Sequence, residues 1–188
     1  MFEESVMSVE LAGMSEGHQS KRLRNWEREL IRRLPVFGHR NWIVVADSAF
    51  PDQSNPGICT VVSDSDQPFV VARVLDLVAK SKHLKATIYL DQELGFIQER
   101  DARGISTYRR QIGALLRSFN PVDLLHDDLI RRLDKASRAF SILVIKTKMD
   151  LPYTSVFFEL DCGYWPSDAE VRLRLSMENA RPSGAPQD

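Results

Sequence analysis

Phe37-Gly38-His39-Arg40-Asn41-Trp42-Ile43-Val44-Val45-Ala46-Asp47-Ser48-Ala49-Phe50-Pro51 reads as a glycine turn presenting a histidine, a short strand, and an aspartate where the strand meets a loop. Trp42 to Ala46 is continuously apolar and rich in β-branched residues, with turn formers on both sides. That is the pattern of a central strand covered on both faces. Ligands of open α/β sheets bind at the carboxyl ends of such strands, which is where Asp47 stands. A strand rises roughly 3.3 Å per residue, so His39 and Asp47 are expected about 26 Å apart. A site using both must be shared between subunits, unless the chain before Trp42 folds back.

Working outward, Leu23, Trp26, Leu30, Ile31 and Leu34 follow at helical spacing, with Ser20 as the expected N-cap and Pro35 as the stop. Ile58–Val62 is a second strand, and Ser65-Asp66-Gln67-Pro68 signals the start of a helix running to about Lys80. Its inward face carries Val70, Val71, Val74, Leu77 and Val78. Ala86–Leu90 is a third strand ending in Asp91, again an acid at a carboxyl end. Residues 93–103 read as a surface loop with the apolar patch Leu94 to Ile97. Ser106 opens a helix with Tyr108, Ile112, Leu115, Leu116 and Phe119 inward.

Val122–Leu125 gives a short fourth strand, and Asp127 or Asp128 caps a helix to Arg138. Ser141–Ile145 and Ser155–Leu160 are two further strands. Strands alternating with helices imply an α/β domain with helices on both sides of the sheet. Ser167-Asp168-Ala169-Glu170 has the spacing of a capping box. The expected organisation is a loose extension over residues 1–19, one α/β domain over 20–166, and a C-terminal helix with a flexible tail over 167–188.

The bulk properties of the 188 residues exclude several classes: 25 basic and 26 acidic side chains give a net charge of −1. No field exists to hold nucleic acid or an anionic membrane. No apolar run reaches the roughly 20 residues of a membrane span, and Glu3, Glu4 and Glu10 replace the basic start of a signal peptide. A cytoplasmic protein is the expectation. Cys59 and Cys162 sit in strand-like surroundings without metal-site spacing and read as buried thiols. No G-x-G-x-x-G, P-loop, G-x-S-x-G or H-E-x-x-H pattern occurs.

What remains is His39, Asp47 and the segment around Tyr153. From the residues alone, His39 is either a helix-end histidine capping carbonyls or a functional group, and Asp47 either closes an Asx turn or meets a ligand. Tyr153 after a proline is read first as a packed aromatic. His18 and His83 read as surface residues and Trp42 as core, while Tyr164 and Trp165 are open between core, interface and ligand platform.

Gly38-His39-x-x-x-x-Val44-Val45-Ala46-Asp47-x-Ala49-Phe50-Pro51 resembles the opening motif of the D-ribose pyranase / L-fucose mutarotase family (RbsD/FucU). Pro152-Tyr153-Thr154-Ser155-Val156-Phe157-Phe158 resembles its closing tyrosine strand, and Gly163 falls where that family has a late glycine. Pro121 to Phe140 resembles the strand–helix segment between them, so the likeness spans roughly residues 36–165. It implies a single-domain three-layer α/β/α sandwich of about six strands. It also implies ring-like homo-oligomers with intersubunit sites, acting on a free monosaccharide without metal or organic cofactor.

By the same resemblance, His39 corresponds to the catalytic histidine, Asp47 to the motif's aspartate, and Tyr153 to the late tyrosine. The family's second basic pair is not matched, because Leu129 and Leu133 stand in its place; His126 and Arg131 are the candidate substitutes. Asp91, His126 and Arg131 are therefore the candidate substrate-binding residues. Opening a hemiacetal requires one proton to leave the anomeric hydroxyl and one to reach the ring oxygen, and histidine performs either near neutral pH. The expected activity is a sugar mutarotase or pyranase-like isomerase. A non-catalytic sugar-binding or transport-associated protein on the same scaffold is the second expectation, and a purely structural oligomer the third.

Overall fold

The computed structural model describes residues 23–180. Six strands form one sheet: β1 (Trp42–Ala46), β2 (Ile58–Val62), β3 (Leu84–Asp91), β4 (Val122–Leu124), β5 (Ile142–Lys146) and β6 (Val156–Cys162). Their spatial order is β2-β5-β1-β6-β3-β4. β1 and β2 both run parallel to β5, and β3 runs parallel to β4. β6 alone is antiparallel, inserted between β1 and β3. The helices are α1 (Asn25–Arg33), α2 (Gln67–Lys80), α3 (Ile105–Leu116), α4 (His126–Ser137) and α5 (Ser167–Asn179).

Alternation along β1 divides the core. Ile43 and Val45 face α1, α2 and α3, packing among Leu30, Val70, Val74 and Ile112. Trp42, Val44 and Ala46 face the other way, among Leu129, Leu133 and Phe157. The result is the expected α/β/α sandwich. Leu129 and Leu133, which the resemblance placed where a basic pair stands, are fully buried on the inner face of α4. Burying each stabilises the fold by roughly 1.5–3 kcal/mol, a role no charged residue fills there.

Several expectations are corrected. Ser20 and residues 1–19 lie outside the described residues, and so does the tail from 181 onward. α1 has Arg24 at its N-cap, and Leu23 and Ile31 are exposed although their spacing suggested the core. The α-helix ends at Arg33, just ahead of Pro35 as expected, and the chain then makes a 3-10 turn, Leu34–Val36, whose first positions accommodate the proline. Residues 93–103 are not a simple loop: Gln92–Gly95 forms a 3-10 turn that buries Leu94 and exposes Phe96.

Gly104, with φ of 98°, rather than Ser106, precedes α3, and Phe119 is exposed past its end. α4 begins at His126, earlier than the Asp127–Asp128 caps suggested. α5 has Pro166 at its N-cap and no capping box, since the Glu170 carboxylate accepts from Trp165 Nε1 and Arg174 Nε instead. None of its residues is buried. Cys59 and Cys162 are free and half-buried rather than buried.

After β6 the chain passes tightly over the start of β3. The Gly163 amide donates to the His83 carbonyl at 2.9 Å. A Cβ on Gly163 would lie 2.7 Å from the Leu84 oxygen and 2.8 Å from the Lys82 oxygen. Both obstacles are backbone, so only a shift of the β3–β6 pairing relieves them. Gly163→Ala is expected to cost about 1–3 kcal/mol of stability, read as a lower urea midpoint at unchanged slope.

Candidate functional site

Because β6 runs against its neighbours, the carboxyl edge of the sheet collects the ends of β1 and β3, the start of α4 and the turn before β6. Asp47, Asp91, His126, Tyr153 and Ser155 are all delivered there. Asp47 follows β1 directly. Its Oδ1 accepts from the Ala49 amide at 2.9 Å and its Oδ2 from the Ser155 hydroxyl at 2.9 Å. The Asx-turn reading of Asp47 thus holds locally, while its second oxygen ties the end of β1 to the start of β6.

Asp91 ends β3 and is 1% exposed. Its Oδ1 lies 3.0 Å from His126 Nδ1, and its Oδ2 is buried without a hydrogen-bond partner. Burial pushes the Asp91 carboxyl up from its ordinary range, opposed by His126 and reinforced by Glu93 and Asp47. The bond to Asp91 pushes the His126 imidazole up, against the effect of burial. His126 opens α4, where its amide donates to both oxygens of the Glu93 carboxylate at 3.1 Å. An acid at a helix N-terminus satisfies an amide that has no partner within the helix.

Tyr153 sits at φ of 56°, a left-handed backbone that L side chains rarely adopt. It follows Pro152 in the turn between Leu151 and Thr154, at a left-handed position that glycine normally occupies. The strain, of order 1–3 kcal/mol, carries the phenol ring edge-on to His126, with centroids 5.6 Å apart. A buried polar knot holds this turn. Gln67 Nε2 donates to the Thr154 carbonyl, and the Tyr108 hydroxyl donates to the same oxygen at 2.6 Å. Thr147 Oγ1 donates to Gln67 Oε1 at 3.1 Å. Burial pushes the Tyr108 hydroxyl far up, with Asp47 and Asp91 adding to it, so it stays a protonated donor.

His39 lies at the opposite, amino edge, so one chain does not bring it to Asp47 or Tyr153. Gly38 to Asn41 forms the turn, with the Asn41 amide donating to the Gly38 carbonyl at 3.1 Å. The left-handed residue is Arg40, at φ of 72°, rather than the glycine. His39 is 59% exposed in its side chain, with Nδ1 2.6 Å from Asp161 Oδ1 and Nε2 accepting from Arg40 Nε at 3.1 Å. Burial opposes ionisation of Asp161, yet the Cys162 amide, His39 and Lys85 together hold its carboxyl below the usual range. A hollow of about 400 Å³ adjoins it, lined by His39, Lys85, Asp161, Cys162, Trp165 and Glu170 among others. The helix-end capping role first open to His39 belongs to His83, half-buried 3.2 Å from the Leu34 carbonyl.

Arg131 is not brought to the cluster: its guanidinium pairs with Asp128 and its side chain is 69% exposed. Ser155, Gln67, Tyr108 and Thr147 were not singled out from sequence as site residues. By sequence Gln67 belongs to a helix start and Tyr108 to a core face, and their partners lie 41 to 87 residues away. Among the described residues no three His, Cys, Asp or Glu side chains are grouped as metal ligands, and no helix is long and apolar enough to cross a membrane.

No family model and no curated protein matches the sequence. The fold does match solved structures. RbsD of Bacillus subtilis complexed with D-ribose superimposes with a TM-score of 0.50 at 16% identity, over 71% of this chain and 91% of that one. The fucose mutarotase of Streptococcus pneumoniae in complex with L-fucose gives 0.48 at 18% identity, over 71% and 91%. FucU of Bifidobacterium longum gives 0.48 at 16%, over 71% and 92%. The likeness to RbsD is one of fold: the chain has an RbsD/FucU-like α/β domain.

The Gln67 knot generates a test. Gln67→Ala removes one of the two donors to the buried Thr154 carbonyl, while the Thr147 hydroxyl keeps the Ala46 carbonyl as acceptor, at an expected cost of about 0.5–1.5 kcal/mol for each hydrogen bond lost. Amide exchange at Thr154 and Ser155 should accelerate by more than global destabilisation explains, because the turn loses its anchor.

Proposed function

We propose that this protein interconverts the anomers, or the pyranose and furanose forms, of a free monosaccharide by general acid–base catalysis. The supporting observation is the convergence of Asp47, Asp91, His126 and Tyr153 at the carboxyl edge of a sheet whose fold matches that of ribose-bound RbsD. Carboxylates, an imidazole and a phenol are the groups that orient and exchange protons with sugar hydroxyls. Asp47 and Tyr153 orient the sugar in this reading, and His39 serves as general acid/base. Ring opening transfers the anomeric hydroxyl proton to a base while an acid protonates the ring oxygen. The carbon–oxygen bond breaks to give an aldehyde, and reclosure reverses the steps.

His39 stands at the far edge of its own sheet, so the reading requires a second copy. The His39 of one subunit meets the Asp47 and Tyr153 of its neighbour in a homo-oligomer. The exposed, hydrogen-bonded presentation of His39 supports that arrangement. Its contribution is expected to be about 10²–10⁴-fold, typical of one positioned proton-transfer group.

The test is exchange NMR on the anomeric protons of ribose, fucose, galactose and glucose. The wild type should accelerate exchange for at least one sugar, and His39→Asn should abolish this while sugar binding persists. Mixed oligomers of two inactive variants, His39→Asn and Asp47→Asn, should recover part of the activity, because some interfaces then carry both intact residues. Binding without exchange in the wild type would instead make the protein a non-catalytic sugar binder.

A further inference from the structure

The Asp91 carboxylate is the feature that the preceding reading leaves unexplained. It is completely buried, one oxygen has no partner, and its other oxygen meets only His126. A buried carboxylate costs stability unless it is paired and satisfied, so an orphaned oxygen at this depth is poor structural design. It is explicable if its purpose is the imidazole it touches. A ring nitrogen bound to a carboxylate fixes the tautomer and orientation of the other nitrogen. Here Nδ1 is committed to Asp91, and Nε2, across the ring, makes no hydrogen bond among the described residues. The His126 side chain is 32% exposed, so the ring is open to a ligand while its anchor is not.

We propose that Asp91 is a positioning residue that fixes His126 with Nδ1 on the buried carboxylate and Nε2 free, making His126 the proton carrier of the subunit's own half of the site. This rests on the sugar-interconversion reading for its chemistry, though not for its geometry. In ring opening, the His126 imidazolium gives its Nε2 proton to the ring oxygen as the carbon–oxygen bond breaks. The anomeric hydroxyl loses its proton to the His39 of the neighbouring copy. Reclosure returns both protons, so neither histidine is consumed. On this proposal Asp91 acts through His126, in place of the direct substrate contact expected of it.

The groups facing this pair are few. Glu93 approaches from the 3-10 turn, Asp127 from His126's own helix, Tyr153 from the turn before β6, and Asp47 and Tyr108 bear on Asp91 from β1 and α3. Asp91, Glu93 and Asp127 favour the imidazolium, but only Asp91 is bonded to the ring.

Two measurements decide it. First, nitrogen-15 NMR of the wild type, with the signal assigned by its loss in His126→Gln, should show Nδ1 proton-bearing and the ring titrating above the ordinary histidine range. In Asp91→Asn the titration should fall by about one pH unit or more, and in Asp127→Asn by less. Second, exchange NMR against pH should show the high-pH fall in sugar exchange moving down in Asp91→Asn, in step with the His126 titration.

A His126 that titrates in its ordinary range in the wild type, or unchanged in Asp91→Asn, overturns the proposal. So does a wild-type exchange whose pH profile ignores Asp91→Asn. Absence of exchange with every sugar in the wild type defeats the sugar-interconversion reading and, with it, the proton-carrier role. The positioning of His126 by Asp91 is still decided by the titration, which needs no sugar.

Discussion

The reversal of one strand governs everything else. β6 is hydrogen-bonded antiparallel to β1 on one side and to β3 on the other, with Val156 opposite both Val45 and Leu90. Its first residues therefore stand beside the carboxyl ends of two parallel strands, and its last beside their beginnings, where Cys162 pairs with Leu84. A one-residue slip would exchange the two faces of the strand. Phe157 and Phe158 forbid it, since each is fully buried on a different side of the sheet. The same two aromatic rings that close both cores thus hold Ser155 against Asp47, and Asp161 against His39.

Stability has been sacrificed at the carboxyl edge, and not at random. Tyr153 occupies a backbone conformation that costs of order 1–3 kcal/mol, and Asp91 keeps a buried oxygen unsatisfied. These penalties lie on neighbouring elements and meet at one imidazole. The counterweight is the knot of Gln67, Tyr108, Thr147 and Thr154, whose hydrogen bonds form out of water, where a satisfied network is strong. A rigid support beneath a strained surface residue is the arrangement expected of a site that must not relax when empty.

The strands were legible because each is an apolar run too short for a helix and bounded by turn formers. Asp47 and Asp91 were legible because they follow such runs. Tyr153 and His39 stood out through motif resemblance, not through any property of a lone tyrosine or histidine. What escaped the sequence was pairing across distance: Asp91 with His126 spans 35 residues and Ser155 with Asp47 spans 108, and no local pattern encodes either. The exposed Leu23, Ile31 and Phe119 show the complementary limit, since helical spacing names a face but not what covers it. Arg40 shows a third, because the turn placed its left-handed residue two positions after the glycine that advertised it.

The separation of His39 from His126 follows from the same reversal and has a chemical consequence. A rigid sheet cannot fold its amino edge onto its carboxyl edge without breaking the β1–β6 and β1–β5 ladders. On the proposed reading, then, the two proton-handling histidines never belong to one subunit's site. Each is oriented by a carboxylate, but on different terms. Asp161 is partly solvated and supported by Lys85 and the Cys162 amide, and so remains a stable anion. Asp91 is dry, with His126 as its one hydrogen-bonded partner. A solvated carboxylate mainly orients its imidazole, whereas a buried one also binds its proton more tightly, since removing it strands a charge in a low dielectric. On that reading the buried Asp91 suits His126 to carrying the proton that the ring oxygen receives when a sugar ring opens.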